Sequence, residues 1–301
     1  MTLRWPLALL AGTLLFAACS PAASEETPQP TFAPLESTTQ APVTTTTVAP
    51  PTTGPTTTTT TLPPNECDPA PAAGPDEGGF FSQRCTVLGF EVIASAAVDS
   101  EALVAAADRF HATLVHLPEI RAALDERGLR ITVIGAEERT TDLPPFADLY
   151  ELYPGTDWDR TTRSFAATGA VPWVAAAEEN LLCAADDRHA GEDMFLRDLA
   201  RTVRDFGLRE VDPAFDLAIE QTYSRVVITQ GLWASTLAEN NSDTYWMEGI
   251  QSYFDGNLEA DPADTAHNHV DTRAELAAYD QLLFDLARTL YGSGNWRSPC
   301  A

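Results

Sequence analysis

The sequence predicts an α+β domain with a strand-and-helix N-terminal part and a mostly helical C-terminal part. Three observations carry this reading. β-favouring runs, "CTVLGFEVIAS" and "LRITVIG", lie early; two helical stretches separate them; and apolar stripes at helical spacing fill nearly everything after Glu192. No internal repeat interrupts the order.

The elements follow in turn. Branched and aromatic residues in the first run predict a strand from about Val87 to Ile93. Ser100 is placed to cap the next helix, where Leu103, Ala106, Phe110 and Leu114 share a stripe. A second helix spans about Pro118 to Arg127 and stops at Gly128, before the buried strand in "LRITVIG". Thr140 to Ala176, rich in turn residues and aromatics, predicts loops crossing one face. A helix then runs from about Glu192 to Phe206, with Gly207 as its left-handed cap. Pro213 opens another, striped by Phe215, Ile219, Tyr223 and Val226. Two more are expected over Thr244–Phe254 and Arg273–Leu290.

The N-terminus sets the compartment. Arg4 precedes an apolar run, Trp5 to Phe16, that is too short to span a bilayer. It ends in "LFAACS", which resembles a bacterial lipoprotein signal whose cysteine becomes the lipidated mature N-terminus. The resemblance implies a signal peptide at 1–18, lipidation at Cys19, export, and anchoring at the outer face of the cell membrane. Residues 19–65 form a Thr/Pro-rich tract, including "TTTTVAPPTTGPTTTTTTLPP", with too few large apolar side chains to offset chain entropy. It is expected to be a disordered, semi-rigid tether. Residues 66–301 suit one domain.

Composition removes several functions. The formal net charge is -26, so phosphate backbones are repelled and nucleic acid is not an expected partner. No lysine occurs, which excludes Schiff-base chemistry and a Ser–Lys pair. Four cysteines follow Cys19: Cys67, Cys85, Cys183 and Cys300. In an exported domain they read as two disulfides with three possible pairings. Cys67–Cys85, closing a local loop, and Cys183–Cys300, tying back the C-terminus, are favoured. No G-x-S-x-G elbow supports a serine hydrolase.

The stretch "FLRDLARTV" holds the candidate site. At about 100° per residue, Leu196, Leu199, Val203 and Phe206 share a core-facing side, with Arg197, Arg201 and Arg204 opposite. Asp193, Arg197, Arg201 and Asp205 form a row in steps of four, the pattern of a solvated helix with pairs worth about a few tenths of a kcal/mol each.

From about Thr140 to Trp296, through "GEDMFLRDLARTVRDFGL", "NSDTYWMEGIQSYFDGN" and "NHVDTRAELAAYDQLL", the chain resembles secreted zincin-like peptidases of gluzincin type. In that family one helix carries H-E-F-x-H and a later one Y-W-x-E-G. The resemblance implies a zincin-like metallopeptidase fold with both helices lining one cleft. It places Arg197 and Arg201 at the two histidine positions, Asp198 at the general base and Glu248, in "YWMEG", at the third ligand. A guanidinium has no acceptor lone pair and stays protonated, so neither arginine can hold zinc. No metal or other cofactor is therefore expected, and the domain reads as a pseudoenzyme. Ion pairs from Arg197, Arg201 or both to Glu248 and Asp198 are expected in the metal's place.

Other candidates are weaker. His267 and His269 are the only close histidine pair, with no clear third ligand, and are expected to line the cleft or to serve folding. Asn268 and Arg273 are expected to share a turn with them. Tyr245 and Trp246 flank Glu248 and could face a ligand groove, although helical aromatics usually pack in cores. His189, Glu192 and Asp193 read as helix-start residues complementing the dipole. The resulting expectation is a lipid-anchored surface protein whose cleft binds a peptide, glycan or protein partner. The alternatives are a divergent hydrolase using Asp198 and Glu248, an enzyme with a relocated metal, or a structural envelope component.

Overall fold

The computed structural model describes residues 65–76 and 79–300. The segments expected to be a signal peptide (1–18) and a tether, with Cys19, lie outside the described residues up to residue 64.

A six-stranded sheet, ordered β1-β2-β3-β4-β6-β5, organises the first half. Its strands are β1 (Ala70–Asp76), β2 (Phe81–Val87), β3 (Phe90–Ala94), β4 (Arg130–Ile134), β5 (Ser164–Phe165) and β6 (Trp173–Ala177). The central pairs β3–β4 and β4–β6 are parallel, while β1–β2, β2–β3 and β5–β6 are antiparallel. Helices α1 (Ser100–Leu114) and α2 (Pro118–Glu126) make the crossover between β3 and β4. The predicted α+β class and its β-α-α-β opening are therefore present.

The near-continuous apolar runs reflect burial on both faces. Val92, Ile131, Val133, Val174 and Ala176 enter the main core under the helices. Their neighbours Ile93, Ile134, Trp173 and Ala175 enter a smaller core with Phe81, Leu143 and Phe146. Alternation of side chains along each strand divides one run between two cores.

Three short helices, α3 (Leu149–Leu152), α4 (Trp158–Thr161) and α5 (Glu178–Leu181), precede the helical half. That half comprises α6 (Met194–Val203), α7 (Arg209–Val211), α8 (Pro213–Tyr223), α9 (Ser242–Tyr253), α10 (Arg273–Tyr279) and α11 (Gln281–Tyr291). Helix α6 packs against β5, β6 and α9, so the sheet edge and two helices meet beside Arg197.

Several expectations need correction. The strand expected over Val87–Ile93 is a hairpin, because Leu88 and Gly89 both take positive φ (50° and 91°) and reverse the chain. A leucine there conceals the turn. Asp99, not Ser100, caps α1 by accepting from the Glu101 N–H. The expected loop region contains β5 and β6. Gly207 is not a left-handed cap: α6 continues through a π-helical turn, Arg204–Leu208. A Cβ on Gly207 would lie 2.5 Å from Cγ2 of Ile120, so this glycine permits close packing of α2. The expected Arg273–Leu290 helix breaks at Asp280, which is drawn into the core. Its carboxylate accepts from Tyr245 Oη at 2.6 Å and Trp233 Nε1 at 3.0 Å while capping α11.

Both favoured disulfides, Cys67–Cys85 and Cys183–Cys300, are formed.

Candidate functional site

Helix α6 starts on a buried anchor. Asp193 caps it by accepting from Leu196 N–H at 3.1 Å. The same carboxylate takes Arg109 Nε at 2.7 Å and Ser298 Oγ at 2.7 Å, with Arg109 and Asp193 almost wholly buried. The helix-start reading of Asp193 holds, but the expected exposed row does not. Asp193 belongs to a buried ion pair that long-range packing creates.

One turn on, Arg197 reaches α9. Its Nε lies 3.4 Å from Oε1 of Glu248, whose side chain is 1% exposed. Burial pushes the Glu248 carboxyl up to about 7, against the downward pull of Arg197. Burial also opposes charge on Arg197, yet Asp198, Glu248 and Glu192 together hold its pKa above the ordinary value. The guanidinium thus stays charged, and the carboxylate beside it is the group poised to titrate.

The other motif residues go elsewhere. Asp198 accepts from the Ser164 hydroxyl on β5, and burial raises its pKa despite Arg197 and Ser164. Arg201 faces solvent and pairs with Asp205 at 3.3 Å. Of the expected ion pairs, Arg197–Glu248 is present; Arg201 joins neither Glu248 nor Asp198. Arg204 is wholly buried rather than on a solvated face. It sits among Asp216, Glu220 and Asp243, at 2.6, 2.5 and 2.9 Å.

The histidine pair is split. His267 is buried, with Nε2 3.5 Å from Oε1 of Glu192. The Glu192 carboxylate beside it raises the His267 pKa, whereas burial opposes it. Burial would raise Glu192 in turn, but His189, His267 and Arg197 hold it well below the carboxylate range. His269 is exposed and packs edge-on against Tyr279 at 5.0 Å, so it does not join this group. Asn268 and Arg273 do not share a turn: the Asn268 side chain accepts from Val270 N–H, whereas Arg273 bonds Tyr253 O and Gly294 O.

Tyr245 and Trp246 do not line a groove. Both are fully buried, Tyr245 on Asp280 and Trp246 stacked on Tyr291 at 6.4 Å. On a helix packed against α6, α8, α10 and α11, adjacent positions cannot all face one cleft.

Beside Arg197 lies a cavity of about 220 Å³, lined by Arg163, Ser164, Asn180, His189, Arg197 and Asp198 among others. Glu248 does not line it. Ser164 and Asn180 were not legible as site residues. Asn180 is positioned by donating to Asp187 and to the Glu192 carbonyl, both at 2.7 Å.

A zincin-type metal does not fit these residues. Arg197 and Arg201 offer no lone pair, Arg201 points away, and the Arg197 cation covers Oε1 of Glu248. Among the described residues, no three His, Cys, Asp or Glu side chains converge as a metal-holding group.

No family model matches the chain, and no curated protein matches it. Among solved structures the chain is similar to the PRO-PRO endopeptidase PPEP-2 from Paenibacillus alvei. The identity is 15% and the TM-score 0.41, covering 66% of this chain and 96% of that one. The likeness is distant.

Proposed function

We propose that this protein is a lipid-anchored, exported domain of zincin-like fold that binds a peptide without cutting it. The observation that carries the reading is the Arg197–Glu248 contact: a permanently charged guanidinium stands where the resemblance puts a metal ligand. The edge strand β5 supports a peptide over a glycan. Thr162, Arg163 and Ser164 line the cavity, and β5 is the last strand of its sheet. An extended segment adds to such an edge through main-chain hydrogen bonds. The two disulfides are compatible with folding in an oxidising compartment. Lipidation at Cys19 rests on the sequence alone.

The hydrolase alternative has less support. Asp198 lines the cavity and Glu248 does not, so they do not form a convergent acid–base pair.

The test is metal analysis of the purified protein together with a peptidase assay. Wild type is expected to hold no stoichiometric zinc and to cleave nothing. The Arg197→His/Asp198→Glu/Arg201→His variant is expected to gain zinc affinity. Stoichiometric zinc with hydrolysis in wild type would overturn the reading.

A further inference from the structure

We infer that the cavity beside Arg197 is a binding site for a single carboxylate, supplied by a chain end or by an acidic side chain. The inference rests on the peptide-binding reading above and names the group that the cavity takes.

Arg197 is held from behind and open in front. Its Nε lies 3.4 Å from Oε1 of Glu248 without hydrogen-bonding it, and its two terminal nitrogens donate to none of the described residues. The side chain is 18% exposed, and it lines the cavity. A planar fork of N–H donors, fixed on a helix and lacking an acceptor, matches a carboxylate in bidentate geometry.

The acids on the cavity wall compete little for that fork. Asp187 is already served by Asn180 Nδ2 at 2.7 Å and by the His189 N–H at 3.0 Å. Asp198 takes the Ser164 hydroxyl. His189 also lines the cavity. Its Nδ1 lies 3.3 Å from Glu192, and its Nε2 makes no hydrogen bond among the described residues. Arg197 therefore presents unused donor capacity to this space.

Size and charge select within the anions. About 220 Å³ is below the usual range for a drug-sized ligand and suits one short acidic group with its adjoining residue. A net charge of -26 repels a dianion more strongly than a monoanion, which favours carboxylate over phosphate.

The test uses the whole protein with ¹⁵N-labelled arginine and three probes at millimolar concentration. These are N-acetyl-alanyl-alanine, its C-terminal amide, and the amide of N-acetyl-alanyl-glutamyl-alanine. The expected result is a shift of the Arg197 side-chain signals by the free acid, with affinity at least about tenfold above that of the neutral amide. The glutamyl amide then distinguishes the sources: binding like the acid means any carboxylate suffices, and binding like the neutral amide means a chain end is required. Arg197→Gln should abolish the preference and Arg197→Lys should weaken it. If Arg197→Gln unfolds by stranding Glu248, Arg197→Gln/Glu248→Gln removes both charges and serves instead.

Equal binding of acid and amide, no perturbation of Arg197, or a preference surviving in the folded Gln variant would overturn the inference. Such results would leave the non-catalytic reading intact. Zinc-dependent hydrolysis would sink that reading without erasing an acid-over-amide preference.

Discussion

Arg197 on α6 and Glu248 on α9 meet at 3.4 Å across the interface of two helices, with Glu248 sealed from solvent and Arg197 partly open. The asymmetry decides the electrostatics. Burial costs the carboxylate more than one guanidinium returns, so Glu248 rises to about 7. Arg197 keeps its charge through three acidic neighbours.

That shift predicts a pH dependence of stability. Glu248 goes from an ordinary 4.5 to about 7 on folding, so the folded state binds its proton more tightly. This contribution is fully present below about pH 4.5 and is lost as pH rises through about 7. Its upper bound is on the order of 3 kcal/mol. Urea denaturation of wild type and Glu248→Gln across this window should show the variant lacking that fall. Parallel profiles would contradict the assignment.

Arg109 and Asp193 form an ion pair at 2.7 Å with side chains 1% and 0% exposed. Arg109→Met would strand a buried carboxylate and should cost about 3–5 kcal/mol in urea denaturation. Adding Asp193→Asn retains a capping side chain and removes the stranded charge. The double variant should therefore be more stable than Arg109→Met alone.

The two disulfides should contribute unequally. Their sequence separations are 18 for Cys67–Cys85 and 117 for Cys183–Cys300. Loop-closure entropy predicts losses of about 3 and about 5 kcal/mol when each pair is changed to serine. Denaturation midpoints of the two paired variants would show the order, and a reversed order would refute the entropic account here.

Gly249 lets α9 approach α11. A Cβ there would fall 2.3 Å from Cδ2 of Leu283, which is itself fully buried. Gly249→Ala should cost about 1–3 kcal/mol despite its better helix propensity. Combined with Leu283→Ala, the loss should be smaller than the sum of the single losses. Strict additivity in a double-mutant cycle would rule out the clash.

Much of the fold was readable from pattern. The apolar runs of β3 and β4 and the stripes of α1 and α8 identify elements because burial acts on neighbouring residues through a local pattern. Boundaries failed where a residue concealed its backbone role, as Leu88 does in the hairpin and Asp280 does at the break between α10 and α11. The site was less legible. Arg204 and Asp193 looked solvent-facing because helical spacing defines faces without saying what packs on each one.

Sequence alone determined which atoms are available: guanidinium at positions 197 and 201, where the resemblance expects imidazole, and one carboxylate at 248. It also settled an acidic, lysine-free chain with four domain cysteines. Only tertiary structure decided that Arg197, rather than Arg201, meets Glu248, that His267 and His269 part company, and that Tyr245 and Trp246 are core. Side-chain chemistry is a property of the residue itself. Charge pairing and burial depend on groups brought together from distant positions, and helical period carries no record of them.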